Sequence, residues 1–151
     1  MPSFPGFALP DELRMLGEQI RRFVREEIIP AEQRVDPDAE ELADDDHKRL
    51  SDLTRAAGLW ALGAPEEYGG GGLDTFGMCV ALEEMSQHRM GLYVPGCGVF
   101  GRYPPPAIWV GTKAQIQKYA VPTIREGWQT FFAITEPSGG SDVANIRTAA
   151  R

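Results

Sequence analysis

The stretch Phe131–Asp142, "FFAITEPSGGSD", decides how this chain is read. Its opening residues are aromatic, small or β-branched and suit a β-strand, which Pro137 stops because it has no N–H to give to a sheet ladder. After it, Gly139 and Gly140 permit backbone conformations that aim successive N–H groups at one point, with the hydroxyls of Ser138 and Ser141 beside them. Such a concavity suits an anion, and Thr135 at the strand's end offers a hydroxyl to a planar, hydrogen-bonding ligand. The same residues also make an ordinary hairpin turn, and spacing alone leaves both readings open. Neither Gly-x-x-x-x-Gly-Lys-Ser nor a strand-to-helix Gly-x-Gly-x-x-Gly occurs, which disfavours a nucleoside triphosphate loop and a dinucleotide fingerprint.

Upstream, the pattern is helical. Leu13, Leu16, Ile20, Phe23, Val24 and Ile28 recur at the spacing of one helical face, predicting a helix from about Asp11 to Ile29 that Pro30 ends or kinks. A second helix is expected over Glu40–Ala57, with Asp44–Asp46 toward its N-terminal half and Gly58 as its cap. The loop "GAPEEYGGGGLD" (Gly63–Asp74) leads to a third helix opened by Asp74 or Thr75. Scattered glycines and the run Pro104–Pro106 allow only broken helical segments between Gly91 and Trp109. Thr112–Gln115 is a capping-box pattern that opens a last helix, and Gly127 precedes the strand "WQTFFAIT". The expected class is mainly α: a helical domain over residues 1–126, then residues 127–151 as the start of a β domain.

Composition bounds the function. The 151 residues are 42% hydrophobic and 25% charged, ordinary for one globular domain, and the net charge of -7 argues against a nucleic-acid or anionic-membrane footprint. Cys79 and Cys97 form no metal-ligand or disulfide pattern, and with no leader or apolar span in the sequence a cytoplasmic location is expected. His47 and His88 stand apart from other ligand-type residues and are read as non-metal residues. Glu83 and Glu84 are neighbours on a helix, about 100° apart, and so are no catalytic pair; a solvated or interface face suits them.

"AITEPSGGSD" closely resembles the flavin-binding signature of the acyl-CoA dehydrogenase family. The likeness runs on through "FVREEIIPAEQRVD", "PEEYGGGGL", "ALEEMSQ" and "GTKAQIQKYAVPTIREG", in the family's order; Asn145 departs from it, standing at a position usually small. The resemblance implies the helical N-terminal domain of that fold followed by the first strand of a truncated β domain, FAD as cofactor, and α,β-dehydrogenation of an acyl-CoA thioester. It places Phe132, Ile134 and Thr135 along the flavin ring and Gly140 and Ser141 at the pyrophosphate, with Ser141 also approaching the acyl-CoA. Gly96 and Gly98 in "VPGCGVFG" would make a roomy inner wall for a bulky or long acyl group. Glu136 and Asp142 read as braces of the turn. The family's catalytic carboxylate comes from a later domain, so no catalytic base is named and the 151-residue chain alone is expected to be inactive.

The resemblance further implies an electron-transfer flavoprotein or similar acceptor and a homo-oligomer, dimer or tetramer, of the full-length protein. Two alternatives stand beside it: a non-catalytic helical partner subunit of a complete dehydrogenase, and a flavin oxidase or monooxygenase on the same fold.

Overall fold

Helix α1 (Asp11–Phe23) begins directly after Pro10, with Asp11 and Glu12 in its first turn and Arg21 and Arg22 in its last, both placements favoured by the helix dipole. The architecture is that of a computed structural model, which describes residues 8–131 and 133–149. Of the two outcomes expected at Pro30, an end or a kink, the helix does not end at Ile29. A π-helical turn, Val24–Ile28, carries it into α2 (Ile29–Glu32), and the Ile29 N–H donates to the Val24 carbonyl, five residues back. Proline lacks an N–H and its ring crowds the carbonyl four residues before it, so a wider turn just ahead of Pro30 lets the helix continue. The same device recurs where the π turn Ile116–Ala120 precedes Pro122. The extension carries Glu32 into the interior, where it is only 5% exposed.

Helix α3 (Asp44–Ala56) is shorter than the expected Glu40–Ala57: it starts where three consecutive aspartates meet the free N–H groups of its first turn. Helix α4 (Thr75–Met85) is opened by Asp74, whose carboxylate accepts the Gly77 N–H at 2.8 Å. Helices α1 and α4 pack together at Gly17, where a Cβ would meet Val80 Cγ1 at an ordinary contact distance of 3.5 Å. Around that contact Ile20, Val24, Ile28, Leu50, Leu59 and Val99 form the centre of the core. Burial of each such side chain contributes about 1.5–3 kcal/mol relative to exposure.

Between Arg89 and Val110 the chain makes three short 3-10 turns, Arg89–Leu92, Pro95–Gly98 and Pro106–Val110. The Thr112 capping box then opens α5 (Lys113–Gln115), and the helix runs through the π turn into α6 (Val121–Glu126), ended by Gly127 at φ 77. Trp60 Nε1 donates to the Ile124 carbonyl at 2.6 Å and Arg55 to the Arg125 carbonyl at 2.7 Å, so the end of α6 is tied to the last turn of α3 and the segment after it. The strand expected over residues 128–135 has no ladder among the described residues. A strand is made by pairing, and the one pairing among the described residues of this segment is an isolated antiparallel bridge between Glu136 and Gly139. Among the described residues no helix is long and apolar enough to cross a membrane.

Candidate functional site

The turn over Pro137 and Ser138 is closed by reciprocal bonds, Glu136 N–H to the Gly139 carbonyl at 3.0 Å and Gly139 N–H to the Glu136 carbonyl at 3.1 Å. Neither Gly139 nor Gly140 takes a positive φ. The expectation that both glycines serve by adopting unusual backbone conformations is therefore corrected: a turn closed by a tight bridge stays within ordinary φ/ψ. What Gly140 does is admit Thr135. A Cβ there would lie 3.2 Å from Thr135 Cγ2 and 3.3 Å from its Oγ1. Thr135 and Gly140 thus come together, Ser141 stands exposed beside them, and Ile134 is half-buried. Phe132 lies outside the described residues.

Among the described residues the N–H groups of Gly140 and Ser141 have no protein acceptor. They fit an anion such as a pyrophosphate, and the Thr135 hydroxyl beside them fits the polar edge of a flavin. Glu136 is spent on structure. Its carboxylate accepts the Arg147 N–H at 3.0 Å and the Thr148 N–H at 2.6 Å, and hydrogen bonds from Thr148 and Arg147 hold it below the ordinary carboxylate range. Asp142 accepts from the side chain and the backbone N–H of Asn145, bracing the short turn that follows.

A cavity of about 680 Å³ opens between the segment before α3, the end of α4 and the Pro95–Tyr103 stretch; Gln129 and Thr130, on the chain leading to the Thr135 turn, also line it. Leu42, Met85, Cys97 and Phe100 are its buried floor, while Glu40, Glu41 and Asp44 are exposed at its rim. Gly98 lines it and Gly96 does not. The space above Gly96 belongs to Phe100: a Cβ on Gly96 would lie 2.4 Å from that ring. At Gly98 the space is taken by the Arg102 guanidinium, 3.3 Å from where a Cβ would be. The room therefore does not come from the missing side chains of the two glycines, as the sequence suggests; their neighbours fill those places. Among the described residues Arg102 has no carboxylate within salt-bridge distance, and burial, with the Arg102 charge, lowers the pKa of His47 in the same cavity.

The sequence reading of His88 as an isolated residue is overturned. Its side chain is fully buried, and its Nδ1 lies 2.8 Å from Glu32 Oε1 and 3.9 Å from Cys97 Sγ. Its Nε2 accepts the Gly96 N–H at 3.0 Å, which assigns the proton to Nδ1 and makes the ring the donor to Glu32. Glu32 also accepts the N–H groups of Met90 at 2.8 Å and Arg89 at 3.2 Å. Burial by itself would raise the Glu32 pKa, but the bonds from His88 and Met90 outweigh it and hold the group low. Burial, with the neighbouring Glu32 charge, pushes the Cys97 thiol up to about 12. Glu32, His88 and Cys97 bring ligand atoms within 4.8 Å of one another, a donor set able to hold a metal, yet both ring nitrogens are engaged and a metal would have to break one of those bonds. Sequence spacing missed this cluster because its members come from three separate segments; only the Pro-tolerant extension of the first helix brings Glu32 to it.

The model of the family "Acyl-CoA dehydrogenase, N-terminal domain" matches residues 10–127. The chain is 32% identical to the (R)-benzylsuccinyl-CoA dehydrogenase of Thauera aromatica, over 95% of this chain and 38% of that protein. It is 30% identical to the mitochondrial short-chain specific acyl-CoA dehydrogenase of Sus scrofa, over 98% of this chain and 35% of that one. The Bos taurus counterpart is 31% identical, with the same coverage of 98% and 35%. The chain thus spans less than two-fifths of the length of these relatives. With a family match over most of its length, this chain belongs to the acyl-CoA dehydrogenase family and carries that family's N-terminal helical domain.

Proposed function

We propose that this chain contributes the acyl-pocket and flavin-entry portion of an FAD-dependent acyl-CoA dehydrogenase, in which residues 1–126 form the helical domain and residues 127–151 begin the β domain. The observation that carries the reading is the pairing of a large cavity with the Thr135–Ser141 turn along one stretch of chain: Gln129 and Thr130 line the cavity, and Thr135 with Gly140 follows directly. Thr135 and Ile134, with Phe132, would bind along the flavin; the Gly140 and Ser141 N–H groups would hold its pyrophosphate, and Ser141 would approach the acyl-CoA. FAD, when bound, supplies the two-electron oxidant for α,β-dehydrogenation of the thioester. This chain's part is to bind, to orient and to keep water from the acyl group. The two carboxylates of the turn are both engaged in bracing it, Glu136 by Arg147 and Thr148 and Asp142 by Asn145, so neither is assigned as a base. Electrons would pass on to an electron-transfer flavoprotein or similar acceptor, in a homo-oligomer.

For the substrate, the size of the cavity suits a bulky acyl group, and Arg102 in its wall, inside the rim carboxylates Glu40, Glu41 and Asp44, favours one whose polar or anionic end reaches the wall over a plain alkyl chain. The likeness to a relative named for benzylsuccinyl-CoA, whose acyl group holds a second carboxylate, supports the same reading.

The test is to express the protein from its full reading frame, load FAD, and titrate it anaerobically with a panel of acyl-CoA thioesters. Bleaching of the flavin by at least one of them, with turnover to an artificial acceptor, is expected. A flavoprotein that no acyl-CoA reduces, or that turns over only with oxygen, would overturn the dehydrogenase reading. Absence of any flavin would favour the accessory-subunit alternative.

A further inference from the structure

Gly96, Cys97 and Gly98 take φ values of 60, 51 and 71, three left-handed residues in succession. For Cys97 this is costly, because its Cβ crowds the following carbonyl, and such conformations persist only where the surroundings hold them. Two of the restraints are local: the Cys97 N–H donates to the Val94 carbonyl at 2.8 Å and the Val99 N–H to the Gly96 carbonyl at 3.0 Å. The third comes from elsewhere in the chain, from the Gly96 N–H to His88 Nε2. His88 is itself held by Glu32, which sits on α2 and also binds the N–H groups of Arg89 and Met90. A buried three-part chain, Glu32 to His88 to Gly96, therefore ends on a left-handed turn that faces the cavity, where Pro95, Cys97 and Gly98 form its wall.

We propose that His88, oriented by Glu32, is a positioning residue that fixes the Gly96–Gly98 turn as the inner wall of the acyl pocket and thereby sets which acyl lengths the pocket accepts. This rests on the reading of the cavity as an acyl pocket. His88 touches no substrate. It acts by holding a strained backbone whose movement would also carry the Arg102 guanidinium, which lies flat against Gly98. A histidine that merely fills and satisfies the core would alter stability without altering ligand preference, so preference is the quantity to measure.

Two readouts on the parent, His88→Leu and His88→Gln test it. Amide hydrogen exchange at Gly96 is expected to quicken by roughly tenfold or more in His88→Leu, the size of one lost buried hydrogen bond, while Ile20 and Leu50 keep their rates. In the FAD-loaded protein, the ratio of the dissociation constants for S-dodecyl-CoA and S-hexyl-CoA, unreactive thioethers, is expected to shift by about fivefold in His88→Leu. His88→Gln keeps one acceptor and one donor and is expected to restore both values. Should His88→Leu fail to fold, the double variant with Cys97→Gly, which removes the backbone strain, is expected to fold and, still lacking the bond to the Gly96 N–H, to show the same faster exchange and shifted ratio. Gly96 exchange at the parent rate in either leucine variant, or an unmoved ratio with both thioethers bound, would overturn the positioning role. If neither thioether binds the parent, the acyl-pocket reading itself fails and this proposal with it.

Discussion

Arg21 grips Glu84 with two hydrogen bonds, Nε to Oε2 at 2.8 Å and Nη2 to Oε1 at 2.5 Å, and so clamps α1 to α4. Glu84 is not solvated, as its neighbour Glu83 is; its side chain is 10% exposed and Arg21's is 44%. Removing the arginine leaves a carboxylate in a largely dry helix interface, while the exposure of Arg21 discounts the loss. Arg21→Ala is expected to destabilise the domain by about 1–2 kcal/mol, and Glu84→Leu by less, because the latter buries no orphaned charge. Urea unfolding of both variants checks the order; equal losses would show the clamp to be ordinary packing.

Glu32 predicts an acid-sensitive component of stability. Its pKa in the folded chain is lowered from 4.5, so its contribution is present above that value and is lost as pH falls through the lower folded value. The stability gap between the parent and Glu32→Gln is therefore expected to be largest near neutral pH and to narrow below about pH 4.5. Unfolding curves at pH 7 and pH 4 decide it. A gap that widens in acid would reverse the assignment of the charged form.

The contact of Thr135 with Gly140 predicts that Gly140→Val obstructs the turn. A Cβ at that position already stands 3.2 Å from Thr135 Cγ2, and two further methyls add bulk beside the N–H groups assigned to the pyrophosphate. Flavin occupancy of the full protein is expected to fall at least tenfold, about 1.4 kcal/mol of binding. Gly139→Ala is the control, since a Cβ on Gly139 meets nothing within 4 Å, and it should retain its flavin. Full yellow colour in Gly140→Val would remove the turn from the cofactor site.

For substrate choice, Arg102→Gln is expected to weaken an acyl-CoA with a terminal carboxylate by roughly tenfold or more, as loss of a charge-assisted bond would, and to leave a neutral acyl-CoA of equal length within about twofold. Calorimetric titration of the two ligands gives the comparison directly. Equal weakening of both would mean that Arg102 only shapes the wall.

The isolated 151-residue chain is expected to show no acyl-CoA turnover with added FAD. It is also expected to self-associate through Trp128 and Phe131, which are 55% and 82% exposed beside a segment with no ladder partner among the described residues. Sedimentation of the chain and of a Trp128→Ser/Phe131→Ser variant tests this. Sustained turnover by the chain would reveal a catalytic base within these 151 residues.

By itself the sequence determined what is local. The apolar face of α1, the Asp74 cap and the Thr112–Gln115 box all depend on residues three or four apart, whose geometry a helix dictates wherever it lies. The chemistry expected of Glu136 and Asp142 was legible for the same reason: a turn rich in acceptors braces itself through near neighbours. Only the tertiary structure decided which faces meet. Glu32 and His88 are 56 residues apart and Arg21 and Glu84 are 63 apart, and no spacing rule pairs side chains across such distances. It also decided what the glycines of the cavity wall are for, because the volume a glycine leaves open has meaning only once its neighbour is in place. Phe100 fills that space at Gly96 and Arg102 at Gly98, so the wall gets its shape from packing between segments rather than from the run of small residues itself.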